Sequence, residues 1–373
     1  MPRRWLVPWK NSLEKPVIYH CMSRVVERRL AFGADEKEKF RTFMRMTENF
    51  SGCRVLTYCL MGNHFHLLLE VPPMPEGGLN DDELLKRLRA LYSEAFVGEV
   101  AKELAEARMQ VKNGSAQESV VVGRIHERFT HRMHDLSEFM KTLLQRFTIW
   151  FNRSQKRTGN LWEDAYKSVI VEDGVAARTM AAYIDLNPVR AGICKDPADY
   201  RWSGYGEAMG RGVVGDGKKA RAGLVRAWLA HKGVAADSSQ WEGEVAVIYR
   251  ITLLEGAAER LADGVNEAGN PVTTVVRKGM GREAVAKEMK RLDEDGVDDV
   301  GVPLVGLLRQ RVRYFTQGVV IGSRSFVDEV FHGSRERFGP KRKDGARKLR
   351  GDFPAGEGSL WSLRDLKRGF GGN

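Results

Sequence analysis

The sequence predicts an α+β fold. Three observations carry this: short β-prone apolar runs near the N-terminus, amphipathic helical spacing between and after them, and a later strand-like run followed by another helix. Val17 to Arg24 (Val-Ile-Tyr-His-Cys-Met-Ser-Arg) is rich in β-formers and makes a first strand. Glu36 to Phe50 sets Phe40, Phe43, Met44 and Met46 among charges at near-helical spacing, so a helix follows. Arg54 to Val71 is apolar and β-prone, and Met61-Gly62-Asn63 breaks it into two strands. Leu136 to Phe151 is a second amphipathic helix, Asn160 to Val171 returns to strand character, and Ala176 to Leu186 is a third helix. The Asn187-Pro188 step is expected to end that helix, because proline disfavours the helical conformation of the residue before it.

Two parts are expected, residues 1–210 as one domain and 215–373 as a mostly helical, basic C-terminal region, with the glycine-rich stretch Gly206 to Gly217 between them. Residues 72–135 read as an insertion within the first domain. Pro72-Pro73 and Gly77-Gly78 open it, and alternating charge on helical spacing marks a solvated helix and loop. Beyond the boundary, helices are expected to about Leu261 and again up to Phe331. Val302 to Phe331, interrupted at Gly318 and Gly322, fits a helix-turn-helix. Arg335, Arg337, Lys341, Arg342, Lys343, Arg347, Lys348 and Arg350 then suit either a clamp on duplex DNA or an unstructured arm.

Composition narrows the class of function. The 373 residues carry 60 Lys and Arg against 49 Asp and Glu, a net charge of +11. That excess favours a polyanionic partner, because each neutralised phosphate releases counterions. No run approaches the roughly 18 apolar residues of a membrane span. The basic start Met1-Pro2-Arg3-Arg4-Trp5 lacks the apolar core of a secretory signal. Cys21, Cys53, Cys59 and Cys194 form no metal-binding pair, which implies packing roles and a reducing, cytoplasmic setting.

Two groups of residues carry chemistry. His64-Phe65-His66 lies in a predicted strand, where residues two apart leave the same face. Both imidazoles can then meet one divalent cation while Phe65 enters the core, and two His ligands leave the cation open to phosphate oxygens. A His-x-His pair also arises through packing alone. Tyr183 and Asn187, four apart on a helix, share a face about 6 Å apart along the axis. They read either as a half-buried tyrosine with a helix-capping asparagine, or as a nucleophilic phenol beside an amide metal ligand.

The sequence resembles the single-tyrosine HUH transposases, and among them the REP-associated tyrosine transposases. The resemblance spans about residues 15–205 in five ordered blocks. These are Tyr19-His20-Cys21-Met22-Ser23-Arg24, Tyr58 through Leu69 around His64-Phe65-His66, Gly159-Asn160-Leu161-Trp162-Glu163, Tyr166-Lys167-Ser168, and Tyr183-Ile184-Asp185-Leu186-Asn187-Pro188-Val189-Arg190-Ala191-Gly192. It implies a small antiparallel sheet with helices on one face, of ferredoxin-like HUH type. It implies His64, His66 and Asn187 as ligands of Mg²⁺ or Mn²⁺, and Tyr183 as a nucleophile that cuts single-stranded DNA and keeps its 5′-phosphate. Hairpin or repeat DNA is the implied partner, with a homodimer in those relatives that exchange the tyrosine between copies.

Arg24, Arg153, Lys156, Arg157, Lys167 and Arg190 flank these blocks and are candidates for phosphate contacts, each also readable as an ordinary surface charge. Tyr19, Tyr58 and Tyr166 compete for the nucleophile's role but lack a metal-capable group one helical turn away. Phe147, Trp150 and Phe151 form a helix stripe suited to a core, Trp162 suits a core or a base stack, and His126, His131 and His134 read either as a second metal site or as part of a solvated, charged helix face. The alternatives to a strand-transfer enzyme are a domesticated nucleic-acid binder without turnover and a metallonuclease that uses water.

Overall fold

The chain enters through β1 (Val17–Arg24), α1 (Ala34–Ser51), β2 (Arg54–Leu60) and β3 (His64–Val71), the order that its periodicity predicts. The structure, a computed structural model, describes residues 15–114, 117–210, 217–229, 238–242, 244–257, 260–265, 271–277, 280–281, 283–287, 290, 313–316, 318–338, 340, 342, 346–349 and 359–364. Met61 N donates to His64 O at 2.8 Å and closes the β2–β3 connection at the predicted break. Three helices follow: α2 (Asp81–Leu88), α3 (Glu94–Lys112) and α4 (Glu118–Thr130). Asn80 and Ser93 cap the first two through side chains that accept from Glu83 N and Phe96 N. Leu84, Leu88, Val97, Val100, Leu104 and Phe129 give these helices an apolar cluster of their own.

Next come α5 (Leu136–Ser154), β4 (Lys167–Val171), α6 (Val175–Asp185) and α7 (Asn187–Arg190). Of the strand expected over 160–171, only the last five residues pair as one. The part before it is irregular and is held by the Val25–Trp162 bridge. The helix expected over 176–186 ends, as expected, before the Asn187-Pro188 step, and a separate short helix, α7, starts there. Proline in a first turn loses no helical hydrogen bond, so it begins a new turn as readily as it stops an old one.

The remaining elements are α8 (Gly204–Ala208), α9 (Lys218–Leu229), α10 (Glu244–Ala257), the hairpin β5 (Arg260–Val265) and β6 (Pro271–Arg277), α11 (Arg313–Thr316), β7 (Gly318–Gly322), α12 (Arg324–Gly333), β8 (Ala346–Lys348) and β9 (Trp361–Arg364). The main sheet has seven strands in the order β2-β3-β1-β4-β7-β9-β8. All neighbours are antiparallel except β4 and β7, which run parallel.

The α+β class therefore holds, with corrections to its detail. The sheet is larger than expected, and helices cover both faces rather than one. Tyr19, Cys21, Phe65, Leu67 and Leu69 face a core built with α1, α5 and α12. Ile18, Leu68 and Val169 face the opposite core, built with α6, α8, α9 and α10. Among the described residues the C-terminal region is mostly helical, as expected, but it also contributes five strands. The segment near Leu261 is a strand, and Gly318 and Gly322 bound a strand rather than interrupting a helix-turn-helix. Val319, Val320 and Ile321 are β-branched and fully buried, so pairing with β4 outweighs any helical spacing in the flanks. Residues 302–312, and Lys341, Lys343 and Arg350 of the basic segment, lie outside the described residues. Arg347 and Lys348 lie in β8.

α9 lies so close to β2 that a Cβ at Gly223 would fall 2.3 Å from the carbonyl oxygen of Val55. Helix propensity alone would make Gly223→Ala stabilising by about 1 kcal/mol. The close approach reverses the sign, and we expect the variant to lose about 1–3 kcal/mol in urea unfolding. A neutral or stabilised variant would show that α9 can lift off β2 without cost.

Candidate active site

Register and pleat assemble the site. In β3, His64 and His66 leave one face while Phe65 leaves the other, where its ring lies 4.9 Å from Phe40 and 5.5 Å from Trp162. The two imidazole centroids are 5.1 Å apart. Pairing of β1 with β3 sets Arg24 opposite His64 and Met22 opposite His66, and pairing of β1 with β4 sets Lys167 opposite Met22. Cross-strand partners share a face, so Arg24 and Lys167, both exposed, border the histidines.

Each histidine has a partner on its Nδ1. His64 Nδ1 is 2.7 Å from Asn63 Oδ1, and the Asn63 amide is oriented by its nitrogen, which donates to Arg28 O at 2.9 Å. An amide oxygen only accepts, so His64 carries its proton on Nδ1 and its Nε2 is bare. His66 Nδ1 lies 2.9 Å from Nε2 of the buried His20, whose own Nδ1 is 2.9 Å from Phe315 O. Burial holds His20 down to about 4, against the opposing pull of the Phe315 carbonyl. Burial, with the nearby Arg24, also holds His64 down to about 4. Burial and the surrounding His20, His64, Arg24 and Arg190 hold His66 well below its ordinary range. These shifts favour the neutral form of all three, the form in which imidazole binds metals.

α6 brings Tyr183 to the same place. Its ring centroid is 5.9 Å from that of His66, almost perpendicular, and 6.1 Å from that of His20. Phe315 stacks on the ring at 4.4 Å and the Arg190 guanidinium sits 4.9 Å from its centroid. Burial pushes the phenol up to about 12, with Arg190 pulling the other way. Asn187 Nδ2 donates to the carbonyls of Tyr183 and Ile184, both at 3.1 Å. The amide thus caps the helix through nitrogen, and its oxygen has no hydrogen-bond partner among the described residues. The capping and ligand readings of Asn187 are compatible.

These donors suit a hard divalent cation. Neither Nε2 of His64 nor that of His66 has a partner among the described residues. No group of three or more His, Cys, Asp or Glu side chains among those residues is arranged to hold a metal. The amide oxygen of Asn187 is a hard donor of the kind such a cation takes beside imidazoles.

The other sequence candidates lie elsewhere. Tyr19, Tyr58 and Tyr166 belong to the core on the Phe65 side of the sheet, as do Phe147 and Phe151, with Trp150 against them. Arg153, Lys156 and Arg157 lie at the end of α5, which packs on that same far side; Arg157 donates to Asn160 O at 2.9 Å. Trp162 donates to Thr148 Oγ1 at 3.0 Å and packs within the aromatic core. His126 bonds Asp81 at 2.7 Å, His131 the Glu127 carbonyl at 2.9 Å, and His134 the Pro72 carbonyl at 3.0 Å, so each is tied into the segment between β3 and α5.

Four residues around the site were not singled out from sequence: His20, Asn63, Asp185 and Phe315. The first two had a signal, as polar groups next to the His-x-His strand or facing it across the sheet. Asp185 is fully buried between Tyr183 and Asn187. It accepts from Thr57 Oγ1 at 2.9 and 3.1 Å, Tyr205 N at 3.0 Å and Tyr249 OH at 2.5 Å. One carboxylate thereby ties α6 to β2, α8 and α10.

Residues 15–77 match the family model described as "Transposase IS200 like". Among solved structures, the chain is similar to a REP-associated tyrosine transposase bound to a REP hairpin. The identity is 11%, the alignment covers 58% of this chain and 88% of that one, and the TM-score is 0.34. No curated protein matches the chain.

Burial raises the Asp185 carboxyl from its ordinary 3.8 to about 7, against the pull of Tyr249, Tyr205, Thr57 and the Gly204 main chain. A carboxyl raised in the folded state holds its proton longer than in the unfolded chain. Its contribution is intact below pH 4 and is lost as pH rises towards 7. At 1.36 kcal/mol per pH unit the full loss is about 4 kcal/mol. Denaturant titrations between pH 4 and 7 should show this downward component in the wild type and not in Asp185→Asn; parallel profiles would refute it.

Proposed function

We propose that this chain, whose residues 15–77 match the IS200-like transposase model, is a metal-dependent endonuclease and strand transferase acting on single-stranded DNA through Tyr183. The observation that carries the proposal is the seating of the Tyr183 ring 5.9 Å from that of His66 within one chain, on the sheet face of His64 and His66, whose Nε2 atoms have no partner among the described residues. A tyrosine donated by a second copy is not required by this arrangement, and a homodimer is not part of the proposal.

A bound Mg²⁺ or Mn²⁺ would supply Lewis-acid polarisation of the scissile phosphate. His64, His66 and the Asn187 oxygen would hold it. Arg24 and Lys167, exposed beside the histidines, would meet phosphates of the DNA strand. Tyr183 oxygen attacks phosphorus and releases its proton; the bond to the 3′-oxygen breaks, leaving a 3′-hydroxyl and a 5′-phosphotyrosine. Because the phosphoester energy is retained in the adduct, a second 3′-hydroxyl can displace the tyrosine without ATP. Arg190 lies over the phenol and favours its ionised form, in opposition to burial. A hairpin carrying a single-stranded flank is the proposed substrate class.

Incubation with Mn²⁺ and labelled single-stranded hairpin DNA should yield a covalent protein–DNA adduct that survives denaturation. We expect Tyr183→Phe to abolish it, and His64→Ala or His66→Ala to reduce it at least about 100-fold. Cleavage without an adduct would point to a water-using nuclease instead, and tight binding without cleavage to a DNA-binding protein that does not turn over.

A further inference from the structure

The hydrogen bonds behind His66 form a chain whose direction is settled by its far end. Phe315 O is a carbonyl oxygen and can only accept, so His20 donates from Nδ1 across the 2.9 Å contact. A neutral imidazole has one N–H, so His20 Nε2 is then an acceptor. His66 Nδ1, 2.9 Å away, must be the donor. Its single proton being spent there, His66 is left with a lone pair on Nε2. This is the same outcome that Asn63 imposes on His64 by another route. His20 is completely buried and its two ring nitrogens are both engaged, so it is itself unavailable to a cation.

We propose that His20, held by the main-chain carbonyl of Phe315, is a positioning residue that fixes His66 in the tautomer with a bare Nε2. The proposal rests on the metal-site reading of His64 and His66 for its consequence, though not for its geometry. Phe315 lies in α11, 295 residues from His20, in the part of the chain beyond the IS200-like match. Its ring also stacks on Tyr183 at 4.4 Å. One residue of the C-terminal region thus touches both halves of the site, through its carbonyl on the histidine side and its ring on the tyrosine side. Outer partners of this kind change metal affinity by about 10–100-fold when removed.

The test uses the full chain with its eight histidines labelled with ¹⁵N. Imidazole nitrogen shifts report which nitrogen carries the proton, and the His66 signal is assigned by its loss in His66→Gln. The expected pattern without metal is His66 protonated on Nδ1 and His20 protonated on Nδ1; protonation of His66 on Nε2 would overturn the proposal outright. Mn²⁺ affinity is then measured by electron paramagnetic resonance for the wild type, His20→Phe and His20→Gln. We expect His20→Phe to bind about 10–100-fold more weakly, with His20→Gln recovering most of the loss because its amide supplies an acceptor and a donor. Equal binding by the wild type and a folded His20→Phe, as judged by its thermal transition, would overturn the positioning role while leaving the metal-site reading intact. Absence of Mn²⁺ binding in the wild type, with none lost in His64→Ala, would instead overturn the metal-site reading and with it this role.

Discussion

The pairing register of β1 with β3 is the constraint on which the site depends. Met22 opposite His66 and Arg24 opposite His64 put a cationic border beside the two imidazoles, and the same register lets His20 reach back to His66. A slip of one residue would turn Tyr19 and Cys21 towards α6 and carry His20 into the opposite core. Both cores oppose such a slip, since β1 and β3 are buried on both faces. Stability and site geometry are therefore enforced by the same apolar alternation.

On this frame, α6 acts as the second half of the site, and it is held by more than apolar contact. Asp185 projects into a set of donors from β2, α8 and α10, so the helix is keyed in rotation as well as in height. Keying matters because Tyr183 must stay between His66, Arg190 and Phe315. A buried carboxylate costs desolvation energy, and what it contributes here is orientation. The C-terminal region joins in the same way: it extends the sheet through β7, β9 and β8 and sends Phe315 to the site.

The first half of the fold was legible because its signals are local. Alternation over 17–24 and 54–71, the Met61-Gly62-Asn63 break, and helical spacing over 36–50 and 136–151 all correspond to observed elements. Misreadings came where tertiary contact outweighed local pattern. Val319 to Ile321 is too short to announce itself as a strand until β4 lies beside it.

His64, His66, Tyr183 and Asn187 could be chosen from sequence because strand period two and helix period 3.6 place each pair on a common face. By itself the sequence thus determined the two pairs of candidate residues and the face that each pair shares. Only the tertiary structure decided that Tyr183 lies against His66, that Tyr19, Tyr58 and Tyr166 lie across the sheet, and that a carbonyl 295 residues from His20 stands behind the His66 hydrogen bond. The reason is physical: periodicity reports which face a side chain leaves, while proximity across the chain is set by register and packing, which no local pattern contains.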